Sequence, residues 1–228
     1  MKTLVLHGFA GSAQPLIRFF PGADTPTLPG HANAPDATSW DDALEQLGRG
    51  LDDEHPAAVF GYSMGARLAL ALALQRPRAV ARLVLESGTA GMADSTERHR
   101  RKGEDDALAD FIERSGMDKF VERWEQHPTL ASLRPFAAQL RSERLAHRPS
   151  GLASALRRLG AGAQPSYWDD LRDLRTPVRL IAGARDEKFA GIALRMRELL
   201  PLAELTLIPD CGHAPHLERP QAFVEALR

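Results

Sequence analysis

The chain reads as an α/β protein: a mostly parallel sheet flanked by helices, with a helical segment inserted before the last strands. Three observations predict it. Gly61-Tyr62-Ser63-Met64-Gly65 stands between a short apolar run, Ala57 to Phe60, and a long helix-forming run that begins at Met64. Apolar runs at residues 3–6, 82–86, 178–182 and 205–208 alternate with helical stretches, as parallel strands joined by helices require. Between Met92 and Gln164 no strand signal appears, and that segment is charged, helical and broken by Gly103, Gly116, Pro128, Pro135 and Pro149. The expected division is a core of residues 1–91 and 165–228, with residues 92–164 lying over the strand ends as a helical cap.

The first strand, Thr3-Leu4-Val5-Leu6, runs into His7-Gly8-Phe9-Ala10-Gly11-Ser12. Gly8 lets the backbone turn, so that the Phe9 N–H can face a reacting oxygen beside that of Met64. His7 is expected to be a core histidine, bonded to backbone and orienting this loop. Ser39 to Asp53 reads as a helix, with Ser39 and Asp42 spaced as a capping box. At the G-x-S-x-G turn, a side chain at position 61 or 65 would collide with the neighbouring strand or helix. Such a turn lifts the Ser63 hydroxyl clear of the sheet and leaves the Met64 N–H free at a helix N-terminus, an oxyanion-hole position. A glycine-rich turn with a surface serine is the bland alternative, and the downstream partners weigh against it.

A serine elbow calls for an acid and then a histidine, each in a loop just after a strand. Gly183-Ala184-Arg185-Asp186 follows the strand that starts after Pro177, and Asp210-Cys211-Gly212-His213 follows the next one. Asp186 would hold one imidazole nitrogen of His213, leaving the other to take the Ser63 proton. His216 competes for the base. His213 is preferred because it sits at the loop tip, while His216 is already close to the terminal helix.

Composition fits one enzyme domain. With 228 residues, 43% of them hydrophobic, the chain can bury a substantial core. A formal net charge of -1 gives no support for nucleic-acid or membrane-surface binding. With a strand expected to begin at residue 3, no signal peptide is expected, and no apolar run approaches a bilayer span. The lone cysteine, Cys211, excludes an internal disulfide and reads as a packing residue. A cytoplasmic protein, monomeric or a small homo-oligomer, is expected.

The arginines bear on substrate. The helix after the elbow is apolar on every face except for Arg67 in its first turn, where a cation opposes the helix dipole. Arg67 either pairs with a carboxylate or reaches solvent, or it binds an anionic group of a substrate. Between Arg134 and Arg158 stand six arginines and one acid, Glu143. Were Pro135 to start a helix ending before Pro149, then Arg134, Arg141, Arg144 and Arg148 would share an arc of roughly 80°. That stripe is either a solvated face or a cation-lined wall. In the run Arg98-His99-Arg100-Arg101-Lys102, most members read as surface.

These residues also carry a family resemblance. Gly61-Tyr62-Ser63-Met64-Gly65-Ala66-Arg67 resembles the elbow of the menaquinone-pathway synthases of the α/β-hydrolase superfamily. So do Glu86-Ser87-Gly88-Thr89-Ala90-Gly91-Met92, Glu97-Arg98 with Arg101, Trp124-Glu125-Gln126-His127-Pro128 and Arg185-Asp186-Glu187-Lys188-Phe189. The combination spans nearly the whole chain and is more specific than the elbow alone, which esterases of the fold share. It differs in Thr27-Leu28-Pro29-Gly30-His31-Ala32, which lacks the family's acid before Leu-Pro-Gly-His and the glycine after it. It differs also in Thr89-Ala90, where a small residue and proline are common.

The resemblance implies a lyase, 2-succinyl-6-hydroxy-2,4-cyclohexadiene-1-carboxylate synthase, which removes pyruvate from 2-succinyl-5-enolpyruvyl-6-hydroxy-3-cyclohexene-1-carboxylate with no cofactor and no metal. By similarity Tyr62, Arg67, Arg101, Trp124 and Arg144 hold this multiply anionic small molecule, with Arg141 or Arg148 able to stand in for Arg144. The triad Ser63, Asp186 and His213 would work as a base, with Phe9 and Met64 as the oxyanion hole. The alternative is a carboxylic-ester hydrolase in which Ser63 forms an acyl-enzyme. A carbon–carbon bond hydrolase and a non-catalytic binding member of the superfamily are further readings.

Overall fold

In a computed structural model describing residues 1–228, five strands form one parallel sheet in sequence order. They are β1 (Thr3–Leu6), β2 (Ala57–Tyr62), β3 (Val80–Glu86), β4 (Val178–Gly183) and β5 (Ala203–Ile208). Residue alternation sorts the side chains to two faces. Leu4, Leu6, Val59, Leu83, Leu85, Leu180 and Ala182 join a 34-residue cluster on one face, while Val5, Phe60, Val84 and Ile181 pack on the other. Inner strands buried on both faces read as continuous apolar runs, and the edge strand β5 is half exposed. On the far edge Asp24 pairs with β1, its N–H donating to Thr3 O and its C=O accepting from Val5 N–H, both at 2.8 Å.

Helix α1 (Gln14–Ile17) follows the first loop, and α2 (Trp40–Gly48) starts at Ser39, whose hydroxyl accepts the Asp42 N–H at 3.1 Å. The reciprocal arm of the expected box goes one residue further back: Asp42 Oδ2 accepts the Thr38 N–H at 2.7 Å. α2 ends at Gly48, short of Asp53, because the Arg76 guanidinium takes the Gly48 and Leu51 carbonyls at 2.7 and 3.1 Å. Helix α3 (Met64–Gln75) is buried without interruption from Met64 to Ala73, Arg67 included. It crosses against β1, β2 and β3, which is why no face of it could be polar.

Between β3 and β4 runs the inserted segment. α4 (Ser95–Trp124) starts at Asp94, which accepts the Glu97 N–H at 2.8 Å. Gly103 does not break it, whereas Gly116, at φ 76° and ψ 176°, bends it. A 3₁₀ helix (Pro128–Phe136), α5 (Ala137–Leu145) and α6 (Pro149–Leu159) follow. α4 and α6 pack through Ala109, Ile112, Phe120 and Val121 against Leu152, Ala153 and Leu156. Each large apolar group buried in this way contributes about 1.5–3 kcal/mol.

The expected arginine stripe is corrected here. Pro135 lies inside the 3₁₀ turn instead of opening a helix, and α5 spans only Ala137–Leu145. Arg134 is therefore exposed before the helix, and Arg148 lies beyond its end, at the start of α6. Arg148 bonds the Ala32 and Ala34 carbonyls and Asp36 at 3.0–3.1 Å.

The chain closes with α7 (Glu187–Leu199), α8 (Pro215–Glu218) and α9 (Pro220–Leu227). No helix is long and apolar enough to cross a membrane. A very tight approach lies at Gly65, where an added Cβ would stand 2.1 Å from the Leu6 carbonyl oxygen. Gly65→Ala should cost about 3 kcal/mol or more. A urea midpoint equal to that of the unmodified protein would contradict this.

Candidate active site

Ser63 joins β2 to α3 at φ 52° and ψ -107°, a left-handed backbone that costs a non-glycine residue roughly 1–3 kcal/mol. Its surroundings hold it there. The Ser63 N–H donates to Glu86 O at 2.9 Å, and its C=O accepts the Arg67 N–H at 3.2 Å. A side chain at Gly61 would stand 2.3 Å from Gly65 O, so both glycines of the turn are steric requirements.

His213 Nε2 lies 3.1 Å from Ser63 Oγ, and its Nδ1 lies 2.6 Å from Asp186 Oδ2. The three side chains thus form one hydrogen-bonded chain, in which the Asp186 contact assigns the ring proton to Nδ1 and leaves Nε2 to face the hydroxyl. Asp186 also accepts the Phe189 N–H at 3.3 Å, as the residue preceding α7. Phe189 and Tyr62 flank the His213 ring. His216 is placed elsewhere: its Nδ1 lies 2.8 and 2.9 Å from the two oxygens of Glu86, and both residues are buried. Cys211 is fully buried, and burial first, then Glu218 and Glu86, push its thiol up to about 12, so no thiolate competes with Ser63.

The Phe9 N–H has no acceptor in the protein, and Met64 is the first residue of α3, where the N–H has no intrahelical acceptor. Both residues line the cavity that Ser63 and His213 line. The loop carrying Phe9 rests on three buried histidines. His7 Nδ1 donates to Gly8 O at 2.8 Å, and His7 Nε2 accepts the Leu28 N–H at 3.1 Å. His31 accepts the Ala10 N–H at 3.2 Å, and His147 from the inserted segment accepts the Ala32 N–H at 2.8 Å. The rings meet edge to face at 5.1 and 5.2 Å. Ala32, where the resembling family has glycine, stands at φ 43°, the conformation glycine would adopt without strain.

The cavity measures about 1080 Å³ and lies between the strand ends and the inserted helices. Tyr62, Arg67, Arg101, Trp124 and Arg144 all line it, whereas Arg134, Arg141 and Arg148 do not. The three cations are held differently. Arg101 pairs with the buried Asp105 at 2.8 Å. Arg144 reaches Glu125 at 3.1 Å and shares it with Arg141. Arg67 is 7% exposed, has no carboxylate within 4.0 Å, and makes only long hydrogen bonds of 3.3 and 3.4 Å, to Gly160 O and Gln164 Oε1. Burial lowers its pKa to about 10, with Asp105 opposing and Arg101 adding to the shift, so it remains a cation at neutral pH. Neither solvent nor an ion pair accounts for Arg67. Trp124 stacks on Phe120 and meets Phe9 edge-on, forming an apolar wall. No group of three or more His, Cys, Asp or Glu side chains is placed to hold a metal ion.

Comparison with known proteins agrees with this architecture. Residues 4–226 match the model of the alpha/beta hydrolase family. The chain belongs to that family. It is 40% identical over 173 residues to a putative 2-succinyl-6-hydroxy-2,4-cyclohexadiene-1-carboxylate synthase of Bacillus subtilis, a match covering 74% of this chain and 63% of that protein. It is 31% identical over 216 residues to the synthase of that name from Serratia proteamaculans, covering 88% and 79% respectively. The structure of MenH from S. aureus superposes with a TM-score of 0.93 at 32% identity, over 100% of this chain and 91% of that one.

Several residues around the site escaped the sequence reading. Asp105, buried at i+4 from Arg101, was open to a helical-spacing argument, and Glu125 sits inside a quoted motif. His31 and His147 meet only through the fold, and nothing local marks them. Burial lowers the His7 pKa from 6.5 to about 4 and that of His31 well below its usual value, while His147 also falls. The folded state thus excludes protons that the unfolded chain accepts below pH 6.5, so stability is full above that value and is lost as pH falls toward 4. Urea unfolding should register a loss of about 3 kcal/mol from His7 alone over that window. A flat profile there would contradict neutral, buried imidazoles.

Proposed function

We infer that the protein is a cofactor-independent lyase that eliminates pyruvate from 2-succinyl-5-enolpyruvyl-6-hydroxy-3-cyclohexene-1-carboxylate. The observation that carries this reading is Arg67, a buried cation with no carboxylate partner, facing the same cavity as the Ser63–His213–Asp186 chain. A buried guanidinium left so poorly paired is costly, and an anionic ligand arriving beside it recovers that cost. The names of the relatives support the same reaction.

In the mechanism, the Ser63 hydroxyl passes its proton to His213 Nε2 and takes a proton from the substrate ring, with Asp186 facing the imidazolium that forms. The electron pair left on the ring becomes an enolate held by the Phe9 and Met64 N–H groups. Its return breaks the carbon–oxygen bond to the side chain; the departing oxygen takes the proton from the His213 imidazolium, and enolpyruvate leaves and tautomerises to pyruvate, with Ser63 and His213 back in their starting states. No acyl-enzyme forms and no water is consumed. Arg67, Arg101 and Arg144 hold the carboxylates, Tyr62 and Trp124 line the ring, and residues 92–164 serve as the cap that closes the site over a core of residues 1–91 and 165–228.

An ester hydrolase would use the same three residues, but a neutral acyl pocket has no use for a buried guanidinium. The test is pyruvate release from the enolpyruvyl substrate against hydrolysis of a short-chain aryl ester. Pyruvate release that Ser63→Ala abolishes, with feeble ester cleavage, is the expected outcome; vigorous ester cleavage without pyruvate would replace the lyase by an esterase. Arg67→Met should lower kcat/KM for the lyase substrate on the order of 10²-fold, the weight of a charge-assisted contact. It should leave urea stability unchanged or raised. An unaltered kcat/KM would remove Arg67 from the binding site.

A further inference from the structure

The loop between β5 and α8 carries His213, and its backbone is held from outside. Asp210 turns it at φ 52°, and Cys211 O accepts the Arg185 N–H at 2.8 Å. Beyond that point the anchor is one carboxylate. Glu218 Oε2 accepts the Gly212 N–H at 2.7 Å, and Oε1 accepts the Ala214 N–H at 3.0 Å, so the amides on either side of His213 end on the same side chain. Oε1 also accepts the Ser132 hydroxyl at 3.0 Å, and Ser132 belongs to the 3₁₀ helix of the inserted segment. The packing there is close: a Cβ on Gly212 would stand 2.2 Å from Ser132 Oγ. Leu130, Leu133 and Leu140 of the inserted segment pack with Ala214 and Leu217 around this point.

The bland reading makes Glu218 the cap of α8, since it reaches back to the residue that precedes that helix. Yet α8 has four residues, too few to be worth a dedicated carboxylate for its own sake. Glu218 has no cationic partner within 4.0 Å, and its charge is used wholly on neutral donors.

We propose that Glu218 is a positioning residue that fixes the backbone of His213, and that through Ser132 it ties the reactivity of Ser63 to the seating of the inserted helices. This rests on reading Ser63 as the reactive serine, but not on the identity of the substrate. Loss of the carboxylate frees both flanking amides, and a shift of about 1 Å at a catalytic group costs on the order of 10²-fold in rate. An amide in its place keeps one acceptor oxygen and turns an NH₂ donor toward an N–H, so one bond is lost.

The experiment is the rate at which a fluorophosphonate labels Ser63, measured on the full-length protein and on Glu218→Ala, Glu218→Gln and Ser132→Ala, alongside urea melts. Wild-type labelling that disappears in Ser63→Ala establishes the reactive serine separately; an unlabelled wild type would overturn both readings. Labelling should slow about 10²-fold in Glu218→Ala, about tenfold in Glu218→Gln and several-fold in Ser132→Ala. The KM for an aryl ester should stay unchanged while kcat falls, and the downfield proton resonance of the His213–Asp186 bond should shift or vanish. Were the alanine variant not to fold, the glutamine and Ser132 variants carry the same test. Labelling within twofold of wild type in folded variants, accompanied only by a lower urea midpoint, would reduce Glu218 to a helix cap.

Discussion

The elbow is seated directly on the end of β1. At Gly65 the backbone of α3 comes so close to the Leu6 and His7 carbonyls that an added Cβ would stand 2.1 and 2.5 Å from them. At Gly61 an added Cβ would stand 2.3 Å from the Gly65 carbonyl oxygen on the turn's own far side. This approach fixes where α3 begins, and so where Met64 presents its N–H. It also fixes the separation between the elbow and the loop at Phe9, because both are attached to the same stretch of β1. The rest of the site is arranged around that distance. β4 and β5 deliver Asp186 and His213 from the same end of the sheet, as parallel strands must when their C-termini point one way.

Over this rigid floor the inserted helices contribute charge. Together with Arg67 of α3 they give three treatments of a guanidinium: Arg101 tied to a buried acid, Arg144 tied to an acid shared with Arg141, and Arg67 left with two long contacts to neutral oxygens. Burial of an ion without compensation is among the larger single penalties a fold carries, and proteins seldom retain it without use. Phe9 and Trp124, backed by the buried Phe120, face the same space, so the cavity is mixed in character, with cations around a flat hydrophobic surface. Such a lining suits a ring bearing several anionic arms, and the proposed substrate has that form.

The sheet and the Ser63–His213–Asp186 chain were legible from sequence because their signals are local. Each strand was a short apolar run, each functional residue followed one directly, and the elbow glycines stand side by side with the serine. The inserted segment was less legible. Pro135 carries the same sequence signal whether it opens an α-helix or sits in a 3₁₀ turn, and the difference moved Arg134 and Arg148 off the face that Arg141 and Arg144 share. Least visible were contacts between residues far apart in the chain: His31 with His147, Glu86 with His216, Ser132 with Glu218. No spacing rule reaches across such gaps, and each depends on a loop path that the strand pattern does not specify.

Five residues other than glycine hold left-handed backbone angles: Ala10, Ala32, Ser63, Ser87 and Asp210. Three of them, Ala10, Ser63 and Ser87, lie within a few residues of the C-terminal ends of β1, β2 and β3, and Asp210 does so at β5. At roughly 1–2 kcal/mol each, the rim of the sheet holds back several kcal/mol that a chain with glycines there would keep as stability. Glycine would, however, give the unfolded chain and the loops more freedom along with the relief. The reserve is therefore the thermodynamic counterpart of stiffness. Selection for heat resistance has an open route through these positions, and every step along it would loosen a loop that carries or borders a reacting group.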